Sequence, residues 1–266
     1  MVHQHYGMLR FSSRTLLSVL VAGQGLFAAY LVAGYGRTAL TGDFAAWSRL
    51  SAHGWVSADH WGNAAMLAHV AVATAVLVSG GVQLLPWIRR KAPAVHRWTG
   101  RLFLTGCAVG ALSGLQLVWW RGTVGDATQH VAISINAALV LVCAAMTWRL
   151  ARERNYSAHR VWALRTYLAA GGVFYFRILL ALWLVIHQRP VGFDPKTFSG
   201  PFLSALSIGV YVIGPLMLFE IHRYAERSRF TVVRGLVSAL FAATGVACAA
   251  GIAAAAMVLW LPKLGR

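Results

Sequence analysis

The chain has 266 residues, 58% of them hydrophobic and only 12% charged, roughly half the charged share of an ordinary soluble domain. With apolar runs of about 20 residues, this composition excludes a water-soluble globular domain and describes an all-α integral membrane protein. A net charge of +17 would point to nucleic acid in a soluble protein. Here the basic residues sit in short loops between apolar runs, so no nucleic-acid partner is expected and the expected surroundings are membrane lipid.

Residues 15–35 form the first apolar run. It is too long for the apolar centre of a signal peptide, and no small-x-small cleavage site follows, so it reads as an uncleaved helix. The loop from Gly36 to Gly62 contains Trp47, Trp55 and Trp61 and is expected to lie along the membrane surface. Four runs follow within residues 63–187, at 63–87, 98–120, 129–148 and 161–187, and two more within residues 202–261, at 202–219 and 232–261. The spacing thus predicts seven transmembrane helices in one membrane domain, residues 1–266, with the second to fifth helices as a four-helix core and the other three at its periphery.

Sixteen of the 24 Lys and Arg residues fall on the N-terminal side and seven on the other, while Arg177 lies inside a span. The positive-inside rule then puts the N-terminus in the cytoplasm and the C-terminus outside a bacterial inner membrane. Cys107, Cys143 and Cys248 fall inside spans, odd in number and without CxxC spacing, so they read as buried thiols.

One motif stands out. His96-Arg97-Trp98-Thr99-Gly100-Arg101 opens the third helix, and a looser copy, His159-Arg160-Val161-Trp162-Ala163-Leu164-Arg165, opens the fifth. His69 and His130 lie near the starts of the second and fourth. The offsets are 61 residues from His69 to His130 and 63 from His96 to His159, the pattern of a helical hairpin repeated about a two-fold axis along the membrane normal. Helix direction then sorts the histidines into an outer pair, His69 with His130, and a cytoplasmic pair, His96 with His159.

An imidazole inside a bilayer is costly without a partner or a task. Two imidazoles from facing helices can hold one haem iron from both sides, and the haem propionates need cations. Arg101 and Arg165 stand one to two turns from the cytoplasmic pair. Arg177 is about 27 Å beyond His159 along its helix, at about 1.5 Å per residue, which brings it towards the outer pair. Gly106, Gly110 and Gly114 leave a strip without side chains, suited to a macrocycle or to close helix packing. Gln83, Gln116 and Asn136 line a site or bond between helices. Taken singly, each histidine has a plainer reading: His96 and His159 as interfacial anchors, His69 as a satisfied core histidine, His130 as a capping residue. His53, His60, His187 and His222 read as surface residues, with His60 and Asp59 available to an outer substrate, and His3 and His5 as tail residues.

The two HR stretches, with Thr166, Tyr167 and Arg177 downstream, resemble a family of bacterial membrane proteins known mainly as a domain of unknown function, over roughly residues 60–190. The four histidines also resemble those of the transmembrane di-haem b-type cytochromes, in which the first and third helices of a four-helix core hold one haem and the second and fourth the other. That resemblance implies two b-type haems, or one if only one pair is filled. It also implies a transmembrane oxidoreductase that takes electrons from a quinol or small reductant and passes them to ferric iron or a redox protein. The readings from other classes are a transporter, with Arg177 as an anion contact, and a lipid-headgroup-binding protein.

Overall fold

The structure is a computed structural model that describes residues 2–51 and 54–264, with side chains from residue 7 onward. His53 and the side chains of His3 and His5 lie outside the described residues. Among the described residues all regular structure is helical, apart from one isolated β-bridge between Asp194 and Ser199.

Seven stretches follow the apolar runs: α1 (Gly7–Leu40), α2 (His60–Gln83), α3 (Pro93–Gly122), α4 (Ala127–Arg152), the pair α5 (Tyr156–Ala170) and α6 (Gly172–His187), α7 (Pro201–Arg227) and α8 (Thr231–Leu264). Six are single helices long and apolar enough to cross a membrane; α5 and α6, bent by 48° at their junction, make a seventh when counted as one span. The run at 161–187, expected to be continuous, is therefore broken. A short helix, Pro86–Lys91, lies between α2 and α3.

Local chemistry sets these boundaries. Asp59, Asp126 and Asn155 cap α2, α4 and α5, each accepting a backbone N–H three residues on, at 2.8, 2.9 and 3.3 Å. Pro93 and Pro201 open α3 and α7, where a missing N–H costs nothing. The break falls at two glycines where side chains would not fit: a Cβ on Gly171 would lie 2.6 Å from the Tyr175 ring, and one on Gly172 2.7 Å from Tyr211. Wide turns with π-helical bonding interrupt α1 at Val32–Gly36, α3 at Leu117–Gly122, α7 at Ile208–Ile213 and α8 at Ala256–Trp260.

The helices close a ring. α1 packs on α2, α2 on α3, α3 on α4, α4 on α5, α6 on α8, and α8 back on α1, while α7 leans against α4, α5 and α6. The larger buried cluster joins α1, α6, α7 and α8 through residues such as Leu16, Phe27, Phe174, Ile178, Tyr211 and Ile252. A smaller one joins α3, α4 and α5 around Phe103, Val140 and Tyr167. α1 and α8, expected at the periphery, thus carry much of the densest packing. The difference is physical: a span of uniform apolar residues does not reveal in sequence which face meets protein and which meets lipid.

Candidate functional site

α2 and α4 face each other across a cavity of about 300 Å³, with α1, α3 and α6 closing its sides. Its walls are largely apolar, and Arg177, His69, Asn136 and Arg121 bring polar groups to it. The Gly171–Gly172 bend and the start of α6 set the direction from which Arg177 enters. The guanidinium lies over the Phe27 ring, 5.4 Å from its centroid, and among the described residues it makes no ion pair and no hydrogen bond. Arg121, in contrast, is paired: it donates to the Gly62 carbonyl and to Asn63 Oδ1 (2.7 Å) and faces Asp59 at 3.5 Å.

Asn136 ties the site to two helix breaks. Its amide donates to the Ala169 carbonyl at 3.2 Å and to the Tyr211 carbonyl at 2.9 Å. Tyr211 stands four residues before Pro215, which has no N–H to return, and Ala169 stands at the α5–α6 break. Asn136 therefore satisfies the Tyr211 carbonyl, which helix geometry leaves open, and adds a bond to the Ala169 carbonyl, which the Gly171 N–H also approaches. Gln83 plays a similar part at the other end of the bundle, donating to the His96 carbonyl and Thr99 Oγ1.

His69 lines the cavity. Ser113 Oγ donates to the Val109 carbonyl (2.8 Å), so its 3.0 Å contact with His69 runs from Nδ1–H to Oγ and leaves Nε2 as an open acceptor. His130 is elsewhere. Its ring meets Trp119 edge-on at 5.8 Å, and its Nε2 is buried without a hydrogen-bond partner among the described residues. Both histidines touch α3, His69 at Ser113 and His130 at Trp119, six residues and about 9 Å apart along that helix. The outer pair is thus not level, and the structure does not bring its imidazoles together. Of the glycine strip only Gly106 is needed for the close approach of α2: a Cβ there would meet Val76 at 2.7 Å, whereas Cβ atoms on Gly110 and Gly114 would meet Val72 and His69 at an ordinary 3.7 and 3.4 Å.

The other pair lies at the end where the basic loops gather. His96 and His159 each occupy the fourth position of their helices, α3 and α5. His159 Nδ1–H donates to the Thr147 carbonyl at 3.0 Å, which leaves Nε2 as the lone-pair atom. Neither ring nitrogen of His96 has a hydrogen-bond partner among the described residues, and its Nδ1 is buried. The two HR copies share a local geometry: Arg101 stacks over Trp98 at 5.0 Å and Arg165 over Trp162 at 4.5 Å. Arg165 is also paired with Glu220 at 2.7 Å, whereas Arg101 makes no ion pair among the described residues. Among the described residues no three His, Cys, Asp or Glu side chains gather to hold a bare metal ion. A two-imidazole haem makes no such demand, and an unemployed His96, a His159 with its Nδ1 tied, and an unpaired Arg101 fit its needs.

The family described as a predicted membrane protein, DUF2306, matches residues 66–213, more than half of the chain. The chain belongs to that family. The DUF2306 match takes in all four histidines, Asn136 and Arg177, and stops short of α1 and α8. No curated protein and no solved structure matches the chain.

Two contributors to the cavity were not expected from sequence. α1 supplies Phe27, Leu31 and Tyr35, and Arg121 reaches the wall from the end of α3. Asp59 and Arg121 carry opposite charges at the ends of adjacent spans, which was the one available signal.

Proposed function

We propose that this membrane protein binds haem between α3 and α5 through His96 and His159 and serves in electron transfer across the bilayer. The observation that carries the reading is a histidine at the fourth position of both α3 and α5, His96 with a buried Nδ1 that has no hydrogen-bond partner among the described residues and His159 with its Nδ1 fixed by the Thr147 carbonyl. That bond is the outer-shell arrangement that orients a histidine ligand and raises its basicity. Arg101, stacked on Trp98 and without a carboxylate partner among the described residues, is suited to a propionate; Arg165 is less so, because it already pairs with Glu220. When bound, haem supplies one-electron chemistry, and the chain supplies ligands, burial and charge. A second haem at His69 and His130 requires His130 to leave Trp119, so the reading rests on the first pair. The loop charges favour an orientation with this pair at the cytoplasmic face of a bacterial inner membrane.

The test is a set of single replacements read by reduced-minus-oxidised visible spectra of the purified protein. His96→Ala and His159→Ala are expected to abolish or shift the haem bands, while His130→Ala and His187→Ala leave them unchanged. Bands that survive both of the first two replacements overturn the assignment.

A further inference from the structure

We propose that the central cavity binds an amphipathic carboxylate, its anionic head at Arg177 and its apolar body along the walls of α2, α3 and α4. The site shares neither His96 nor His159 and stands apart from the haem reading.

Charge is the first argument. An arginine in the middle of a span is expensive unless it is paired or faces a polar cavity. The six ion pairs among the described residues leave Arg177 out. The Phe27 ring face offers only a quadrupole, weaker than a carboxylate. Arg121, the second arginine on the wall, already faces Asp59. The cavity therefore holds one uncompensated positive charge.

Donor accounting narrows the ligand. Both bonds of the Asn136 amide go to Ala169 and Tyr211, leaving its Oδ1 acceptor. His69 Nδ1 is engaged by Ser113, leaving the Nε2 acceptor. Arg121 keeps one unbonded N–H but its charge is paired with Asp59, so Arg177 is the charged donor left over, and its planar fork matches a carboxylate. Around it stand Leu31, Met66, Val70, Val72, Ile133 and Phe174, which fit hydrocarbon. The 300 Å³ volume, at about 30 Å³ per water-sized group, accommodates about ten heavy atoms. That is a medium-chain or aromatic acid, not a whole phospholipid.

The experiment uses the full-length protein in phosphatidylcholine nanodiscs, with its haem content recorded. Octanoate is titrated calorimetrically, beside octanol, inorganic phosphate and nanodiscs doped with phosphatidate. Octanoate is expected to bind one to one, at least tenfold tighter than octanol. Phosphate, lacking an apolar body, is expected to bind at least tenfold more weakly, and phosphatidate doping to leave the titration unchanged. Arg177→Gln is expected to weaken octanoate at least tenfold, and Arg177→Lys to restore part of the loss. Gly110→Val, where a Cβ meets only Val72 at 3.7 Å, narrows the cavity and is expected to weaken octanoate and octanol alike. Equal affinity for octanol and octanoate overturns the proposal, and so does competition by phosphatidate, which would make the anion a lipid headgroup. An Arg177→Gln protein that loses haem, while the native protein ignores octanoate, overturns it too, because Arg177 would then serve a propionate. A colourless protein that binds octanoate upholds this site and refutes only the haem reading.

Discussion

Replacing Asn136 by Leu keeps the side-chain volume close to constant and removes both amide bonds. The structure allows the cost to be worked out. The Tyr211 carbonyl has lost its helical partner to Pro215 and has no obvious replacement donor, while the Ala169 carbonyl at the α5–α6 break keeps only the Gly171 N–H of the helix cap. Interhelical hydrogen bonds in membranes contribute about 0.6 kcal/mol on average and up to about 1.7. Two of them put Asn136→Leu about 1–3 kcal/mol below the native protein. Asn136→Asp is expected to be worse, because an ionised carboxylate cannot donate and would face two carbonyl oxygens. The assay is unfolding in mixed micelles of increasing SDS, followed by tryptophan fluorescence, with the lipid-facing Val142→Ala as control. An Asn136→Leu protein as stable as that control refutes the argument that this residue holds two broken helices together.

Three further outcomes are expected. Gly106→Val forces a methyl-bearing Cβ to within 2.7 Å of Val76, whereas at Gly110 the nearest atom is at 3.7 Å; the first should lose about 1–3 kcal/mol by overpacking and Gly110→Ala little, by the same SDS assay. Partial burial raises the Asp126 pKa, but the Gln129 amide and the Ser204 hydroxyl outweigh it and hold the carboxyl below its ordinary 3.8. Its capping contribution, about 1 kcal/mol, is therefore full above the unfolded value and lost as pH falls through the folded one, and Asp126→Ala should flatten that part of the stability–pH curve. Alkaline phosphatase fused at the C-terminus should be active and fused at the N-terminus inactive, as the loop charges require; the reverse pattern inverts the orientation.

The spans were legible because a stretch that crosses hydrocarbon must be long and apolar, and little else satisfies that condition. Arg177 was legible for the opposite reason, since a charge inside such a stretch demands an explanation. The break at Gly171–Gly172 was not, because two glycines in an apolar run look the same whether they let a helix pass or let Tyr211 press in from α7. The outer pair looked level because depth was counted from the edges of apolar runs. Counted from the caps, His69 lies ten residues past Asp59 and His130 only four past Asp126. The role of α1 as a cavity wall had no sequence signal, since Phe27 and Leu31 suit lipid and protein equally.

The most direct test of the account is the haem content of the native protein, purified after expression with ample haem supply and quantified per chain beside its redox difference spectrum. The account predicts one haem per chain with the sharp α and Soret bands of two histidine ligands on reduction. A protein that folds, enters the membrane and carries no haem contradicts it.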